Sequence, residues 1–191
     1  MDLTVRPLTA ESWPALEELF GRSGASNGCW CMYWRIGPAY ARRARDENRA
    51  ALHALAVSGP PPGLIAFEGD RPVGWCEILP RDALPWLRAR MGRHAPGAGV
   101  WSLGCFYVRR SHRRRGVMTA LIAAAVEAAR HGGAAVVEAY PIDTAAPGSS
   151  SNLFTGSADA FRRAGFVKVA ERSPARPVMR LDLGRPAGTP A

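Results

Sequence analysis

The sequence predicts a single α/β domain in which short strands and helices interleave along the chain. Three observations carry that expectation. A chain of 191 residues is long enough for one domain with a proper core, and its 47% hydrophobic content is that of a globular protein. Segments with a period of two alternate with segments of helical period. One of the strands, Val100–Val108, runs through a basic turn into an Ala- and Leu-rich helix over residues 117–130, closed by Gly132 and Gly133.

The remaining elements follow in order. Leu3–Pro7 alternates and reads as a strand, and Thr9 or Ser12 can cap a helix with Leu16, Leu19 and Phe20 on its apolar face. Residues 21–28 are a Gly- and Ser-rich loop. The next seven residues hold Trp30, Tyr33 and Trp34 beside Cys29, Cys31, Met32 and Arg35. They read either as an apolar plug under the domain or as the wall of a pocket. Residues 38–57 predict one long helix opened by Pro38, on which His53 is a surface or packing residue.

Two strands, 64–68 and 72–79, flank a hairpin turn at Gly69, Asp70 and Arg71, and residues 82–92 can form a short helix. Beyond the 117–130 helix come a strand over 134–140, a loop over 145–151 and a short helix over 157–164. Strands over 166–171 and 177–183 end the pattern. The domain is expected to cover residues 1–183, and the Pro- and Gly-rich residues 184–191 to be a disordered tail.

Composition excludes several classes. The longest apolar run lies within residues 117–126 and is too short to span a membrane. With no signal-peptide pattern at the start, a cytoplasmic location is the default. The net charge of +9 invites a nucleic-acid reading, but zinc-finger and RRM patterns and aromatics within the basic turn are lacking. Lys168 is the sole lysine in an Arg-, Ala-, Gly- and Pro-rich chain, so much of the charge reflects coding bias, and no nucleic-acid partner is expected. The spacing of Cys29, Cys31, Cys76 and Cys105 matches neither a disulfide framework nor a zinc site, and no metal is expected.

The basic turn is the most informative stretch. A strand leading through a turn to a helix N-terminus makes an anion site, because the first-turn N–H groups lack partners and the dipole favours negative charge. Gly116 allows close backbone approach. Neither a Walker loop nor G-x-G-x-x-G is present. The residues are Arg113, Arg114, Arg115, Gly116, Val117 and Met118, with Val108 eight positions before Gly116. This run resembles the phosphate loop [QR]-x-x-G-x-[GA] of the GNAT-type N-acetyltransferase superfamily, departing from it at Met118. The element order resembles that superfamily from near residue 3 to near 183, and Ala164, Gly165 and Phe166 stand where it usually has Leu-Gly-Phe.

The resemblance implies an α+β fold, with a mixed, mostly antiparallel central sheet of about six to seven strands flanked by helices. It also implies an N-acetyltransferase that passes acetyl from acetyl-CoA to a primary amine, by direct attack in a ternary complex. A small-molecule acceptor is expected, and the reading leaves room for a homodimer. The pyrophosphate would lie on the N–H groups of Arg113, Arg114, Arg115, Gly116, Val117 and Met118, aided chiefly by the Arg113 and Arg115 side chains. Pantetheine would run along Phe106, Tyr107 and Val108, with a strand N–H near Phe106 polarising the thioester carbonyl.

The family often has a Glu six residues before the strand-end Val, and a Tyr four before the Gly of G-F. Here these positions hold Ser102 and Phe161. Glu77 and then Glu138 are the candidate bases, and Tyr140 or Tyr107 the candidate acid. Trp30, Tyr33, Trp34, Arg35 and Tyr140 are expected to contact the acceptor. The competing reading, motivated by Ser102 and Phe161, is a catalytically silent acyl-CoA-binding module.

Overall fold

The computed structural model describes residues 2–91, 99–147, 149 and 153–184. Its elements are β1 (Leu3–Pro7), α1 (Trp13–Phe20), α2 (Tyr33–Ile36), α3 (Arg45–Ser58), β2 (Gly63–Glu68), β3 (Arg71–Pro80), α4 (Pro85–Met91), β4 (Val100–Val108), α5 (Val117–His131), β5 (Val136–Ala139), α6 (Ala158–Arg163), β6 (Val167–Ser173) and β7 (Arg176–Asp182). Seven strands form one sheet in the order β1-β2-β3-β4-β5-β7-β6. The β4–β5 pair is parallel, and the other named pairs are antiparallel.

Alternation along the strands sorts two cores. Leu64, Ala66, Val73, Cys76, Ile78, Leu103 and Phe106 face α5, which buries Val117, Leu121, Ile122, Ala125, Val126 and Ala129 against them. Each fully buried Leu or Ile there contributes about 1.5–3 kcal/mol. On the opposite face Ile65, Phe67 and Trp75 pack with Leu16, Leu19 and Phe20 of α1 and Leu52 of α3. Gly74 keeps α5 close, since a Cβ there would sit 2.5 Å from a Val117 methyl carbon.

Two interruptions of the sheet shape the site. The β3–β4 register passes from Cys76 opposite Phe106 to Ile78 opposite Leu103. Glu77 therefore faces two residues, Gly104 and Cys105, across a β-bulge, a device that bends a strand and re-aims its side chains. The parallel β4–β5 pairing ends at Leu103 opposite Ala139. From Gly104 onward β4 runs on without β5, and there the Phe106 N–H donates to the Phe154 carbonyl at 2.6 Å.

Several boundaries differ from the sequence reading. The helix expected over 38–57 is a 3-10 helix, Gly37–Arg42, followed by α3. Arg43 and Ala44 are extended between them. The buried Asn48 side chain holds the break by donating to the Gly28 and Tyr40 carbonyls at 2.9 and 3.0 Å, and Glu47 accepts from the Ala44 N–H at 3.1 Å. At α1, Ser12 takes the N-cap position but makes no side-chain cap hydrogen bond. The Ser12 hydroxyl instead bonds backward, accepting from the Thr9 N–H and donating to the Pro7 carbonyl.

The 82–92 segment splits into a 3-10 turn, Arg81–Ala83, and α4, with Gly92 outside the described residues. The fifth strand is shorter than the expected 134–140. Most of the 148–151 part of the predicted loop and residues 185–191 of the expected tail also lie outside the described residues. His53 packs against the Trp13 ring at 4.7 Å between centroids. Among the described residues, no helix is long and apolar enough to cross a membrane.

Candidate active site

Two cavities meet at the free part of β4. The larger, about 790 Å³, follows β4 to the start of α5. Phe106, Tyr107 and Val108 line one side, and Arg113, Arg114, Gly116, Val117 and Met118 the end. A 3-10 turn, Arg110–His112, leads into that end, and Gly116 takes the N-cap position with φ +84° and no side-chain cap. Glycine reaches this left-handed conformation without a Cβ penalty. The first-turn N–H groups thus point outward without intrahelical acceptors.

The expected arginines divide. Arg113 and Arg114 line the cleft, whereas Arg115 turns to Glu68 at 3.4 Å and does not. Glu68 is also bonded to His112 Nε2 at 2.9 Å, so this carboxylate braces the turn from behind. Met118, where the superfamily motif has a small residue, packs on Gly156. A Cβ at Gly156 would lie 2.3 Å from the Met118 methyl carbon. Arg163 and Thr119 also line the cleft, and the sequence reading did not single them out.

The smaller cavity, about 570 Å³, opens on the opposite side of the shared residues Phe106, Tyr107 and Phe154. Tyr33, Trp34 and Tyr40 form an aromatic wall, with Cys29, Cys31 and Cys105 beside them. Trp30 belongs to neither cavity. It is 4% exposed and packs between Trp13 and Phe20, with centroids at 5.8 and 5.4 Å, so the expectation that it contacts the acceptor is corrected to a core role. Tight backbone at Trp30 and Cys31, with φ +45° and +55°, turns the indole inward. Its ring fills the space over Gly24, where a Cβ would come within 2.3 Å of Nε1. The plug and the pocket wall foreseen for residues 29–35 are thus both present, divided between neighbouring residues.

Glu77 is fully buried on the face of β3 that also carries Trp75 and Leu79. It sits behind the aromatic wall, for a Cβ at Gly104 would lie 2.3 Å from Glu77 Oε2 and 2.9 Å from Trp34 Cδ1. Only a glycine at the bulge leaves room for the carboxylate. Burial raises the Glu77 carboxyl to about 7, opposed by the Arg35 guanidinium, whose Nη2 lies 3.5 Å from Oε1. Neither carboxylate oxygen accepts a hydrogen bond among the described residues. Arg35, expected to hold the acceptor, instead donates to the Ala83 carbonyl at 3.0 Å and stands beside Glu77, outside the cavity lining.

Glu138 is equally buried but differently employed. Arg180 Nη2 and Nε bond its Oε1 at 2.7 and 3.2 Å, the Tyr140 hydroxyl donates to Oε2 at 2.9 Å, and Arg81 Nη1 lies 3.6 Å away. Ser102 Oγ is 3.1 Å from the Tyr140 hydroxyl. Register places Ser102 opposite Glu138 and Glu138 opposite Arg180, so this network ties β4, β5 and β7 together. Burial and the Glu138 charge push the Tyr140 phenol well above its ordinary range. Neither Glu138 nor Tyr140 lines either of these two cavities. The contacts assign both to an internal polar network, against their expected roles as base and acid.

Phe161 is fully buried, its ring 5.9 Å from Phe106 and 5.1 Å from Phe166 between centroids. All four cysteines are free thiols. Burial pushes Cys29 up to about 12, while a side-chain hydrogen bond with Cys31 and burial raise Cys105. Gly104 also escaped the sequence reading, although a lone glycine inside a strand pattern signals a bulge or close approach.

Comparison with known proteins bears on the family and the fold. The acetyltransferase (GNAT) family pattern matches residues 27–147. Members of that family use acetyl-CoA as co-substrate. A GCN5-related N-acetyltransferase from Kribbella flavida is 22% identical, with a TM-score of 0.58 over 95% of this chain and 98% of that one. The yncA protein from Salmonella typhimurium, a putative acetyltransferase solved with acetyl-CoA, is 17% identical with a TM-score of 0.58, covering 100% of this chain and 99% of that one. Aminoglycoside acetyltransferase AAC(6')-Ib, solved with coenzyme A, is 17% identical with a TM-score of 0.58 over 95% of each chain. At these identities the likeness is one of fold. No curated protein matches the sequence significantly. The pattern covers well over half of the chain, and the chain belongs to the acetyltransferase (GNAT) family.

Proposed function

We propose that this protein is an N-acetyltransferase acting on a primary amine of a small molecule, by direct attack within a ternary complex. The observation that carries the proposal is the meeting of two cavities at the free stretch of β4. One ends in an anion-binding helix start, and the other is aromatic-walled with a buried carboxylate behind it. The larger cleft fits acetyl-CoA: the β4 edge beyond β5 offers backbone partners to pantetheine once the Phe154 carbonyl gives way, and its Gly116-led turn offers N–H groups to phosphate. Bound there, acetyl-CoA supplies an acyl group activated as a thioester.

The chain's own residues then divide the work. Glu77 takes the proton of the attacking amine through a water that reaches past Trp34, since the carboxylate does not itself line the cavity. Its raised pKa suits a base working near neutrality. Arg35 orients Glu77. The Phe106 N–H holds the carbonyl oxygen as negative charge develops. That N–H donates to the Phe154 carbonyl at 2.6 Å, so the turn around Phe154 releases it when the donor enters. As the C–N bond forms and the C–S bond breaks, the thiolate is protonated from solvent or by Tyr107, which lines both cavities. A coenzyme A thiol with a pKa of about 8.5 is a fair leaving group and makes modest demands on that acid. Glu138, Tyr140 and Ser102 keep β4 and β5 in register.

Release of free thiol from acetyl-CoA across a panel of primary amines tests the reading. Amine-dependent release is expected. Coenzyme A binding with no release across the panel favours the silent binding module, to which Ser102, the buried Phe161 and the occupied Phe106 N–H would then belong.

A further inference from the structure

We infer that the acceptor is an amine that also carries an anionic group, a carboxylate or a phosphate. The inference deepens the transferase reading and rests on it for the identity of the smaller cavity. Among the described residues lining that cavity are three arginines, Arg90, Arg172 and Arg176, and no aspartate or glutamate. None of the three meets a carboxylate among the described residues. Arg90 lies over the Trp86 ring at 5.3 Å, Arg176 Nη1 donates to Thr155 Oγ1 at 3.4 Å, and Arg172 makes no hydrogen bond or ion pair among the described residues. Elsewhere many arginines are paired, as Arg49 is with Glu17, Arg109 with Glu18 and Arg162 with Asp143.

This distribution has a direct chemical consequence. A cavity lined by cations and no carboxylate carries a positive potential, and walls of low dielectric focus it. A simple alkylammonium or a polyamine is repelled from such a space. A zwitterion enters without net charge, and its anion finds guanidinium forks that bind carboxylate or phosphate oxygens bidentately. The same field favours the neutral form of the amine, which is the form that attacks. Arg172 and Arg176 belong to the β6–β7 hairpin, while Glu77 stands behind Trp34 on β3. The cavity thus has a cationic part and a carboxylate-backed part for the two ends of one molecule. Tyr33, Trp34 and Tyr40 suit the body between them.

Calorimetric titration of the full chain in the presence of coenzyme A tests this without needing turnover. The probes are matched sets of N-acetylated amino acids with small, aliphatic and aromatic side chains, each as free acid, amide and phosphonate. The expected result is acids or phosphonates binding at least about tenfold more tightly than amides in one or more sets. In the R172Q/R176Q double variant, whose changes lie on the hairpin surface, that preference falls to within about threefold. A tighter phosphonate assigns a phosphorylated acceptor, and a tighter acid a carboxylated one. Acid and phosphonate both binding no more tightly than amide in every set, no binding of any acid or phosphonate, or a preference that survives in the double variant overturns the inference. Coenzyme A titrated alone separates the two readings. An anion preference without coenzyme A binding defeats the donor-site reading, while coenzyme A binding without an anion preference defeats only the acceptor inference.

Discussion

The two cavities that meet at β4 are built in opposite ways. The cleft proposed for the donor is drawn largely from one continuous run, from Phe106 on β4 through the Arg110–His112 turn to Thr119 on α5. The cavity proposed for the acceptor is assembled from distant pieces: residues 25–40, Arg90, the bulged middle of β4, Phe154 and Thr155, and the β6–β7 hairpin. A site made by one strand–turn–helix needs only local geometry, so a different sequence can keep it by keeping a glycine and a basic turn. A site made by five segments changes with each of them, and a family can alter its acceptor there while preserving its donor. The predictions below probe this contrast, from the largest effect to the smallest.

Replacing Glu77 with Gln should lower kcat by about 10²-fold or more, the usual contribution of a general base, while coenzyme A affinity stays within about twofold. Turnover and titration on the same sample check this. Gly104→Ala comes next. The new Cβ would meet Glu77 Oε2 at 2.3 Å and Trp34 at 2.9 Å, so carboxylate or indole must shift. We expect roughly a tenfold loss of kcat and a stability loss of about 1–3 kcal/mol, read by denaturant unfolding.

Gly116→Ala has free space around its Cβ but a φ of +84°. The expected cost is about 1–2 kcal/mol, with coenzyme A binding weakened more than acceptor KM. The smallest effect separates the arginines of the turn. Arg114→Gln should weaken coenzyme A several-fold, and more so at low salt, about one charge-assisted contact's worth. Arg115→Gln should change it by less than about threefold, since its side chain turns away to the half-buried Glu68.

The same contrast explains what could be read from the sequence. Local periodicity was enough for the seven strands and for α5, because alternation and Ala-rich amphipathicity are properties of neighbouring residues. It misplaced the 38–57 helix, because the break after Arg42 depends on Asn48 bonding Gly28, a tertiary contact. Phe106, Tyr107, Val108 and Gly116 were legible as one motif. Trp30 and Trp34 were not separable, although one is core and the other lines the cavity. Nothing local distinguishes them, and the positive φ at Trp30 and Cys31 that turns the indole inward has no glycine to announce it. Glu77 and Glu138 likewise look alike in sequence, each alone within an apolar strand. Only the register shows Glu138 meeting Arg180 and Glu77 meeting the Gly104 bulge. Nothing in the sequence singles out Arg172 and Arg176, and only the fold brings them to the cavity.

Glu77 also couples function to stability. Its carboxyl is raised in the folded state, from 4.5 to about 7. Between those values the folded chain binds more protons than the unfolded chain, so this group makes stability fall as pH rises from about 4.5 to 7 and contributes no further slope above. Unfolding of Glu77→Gln across that window should lack this component.

The pH dependence of kcat/KM, compared between the native chain and Glu77→Gln with one saturating donor, tests the central claim most directly. For the native chain the account predicts a rising limb with an apparent pKa of about 7, beyond that of the amine itself. In Glu77→Gln that limb should vanish, leaving only the rise set by the amine. An unchanged limb near 7 in the variant, with kcat close to native, would contradict the assignment of Glu77 as the base that activates the acceptor.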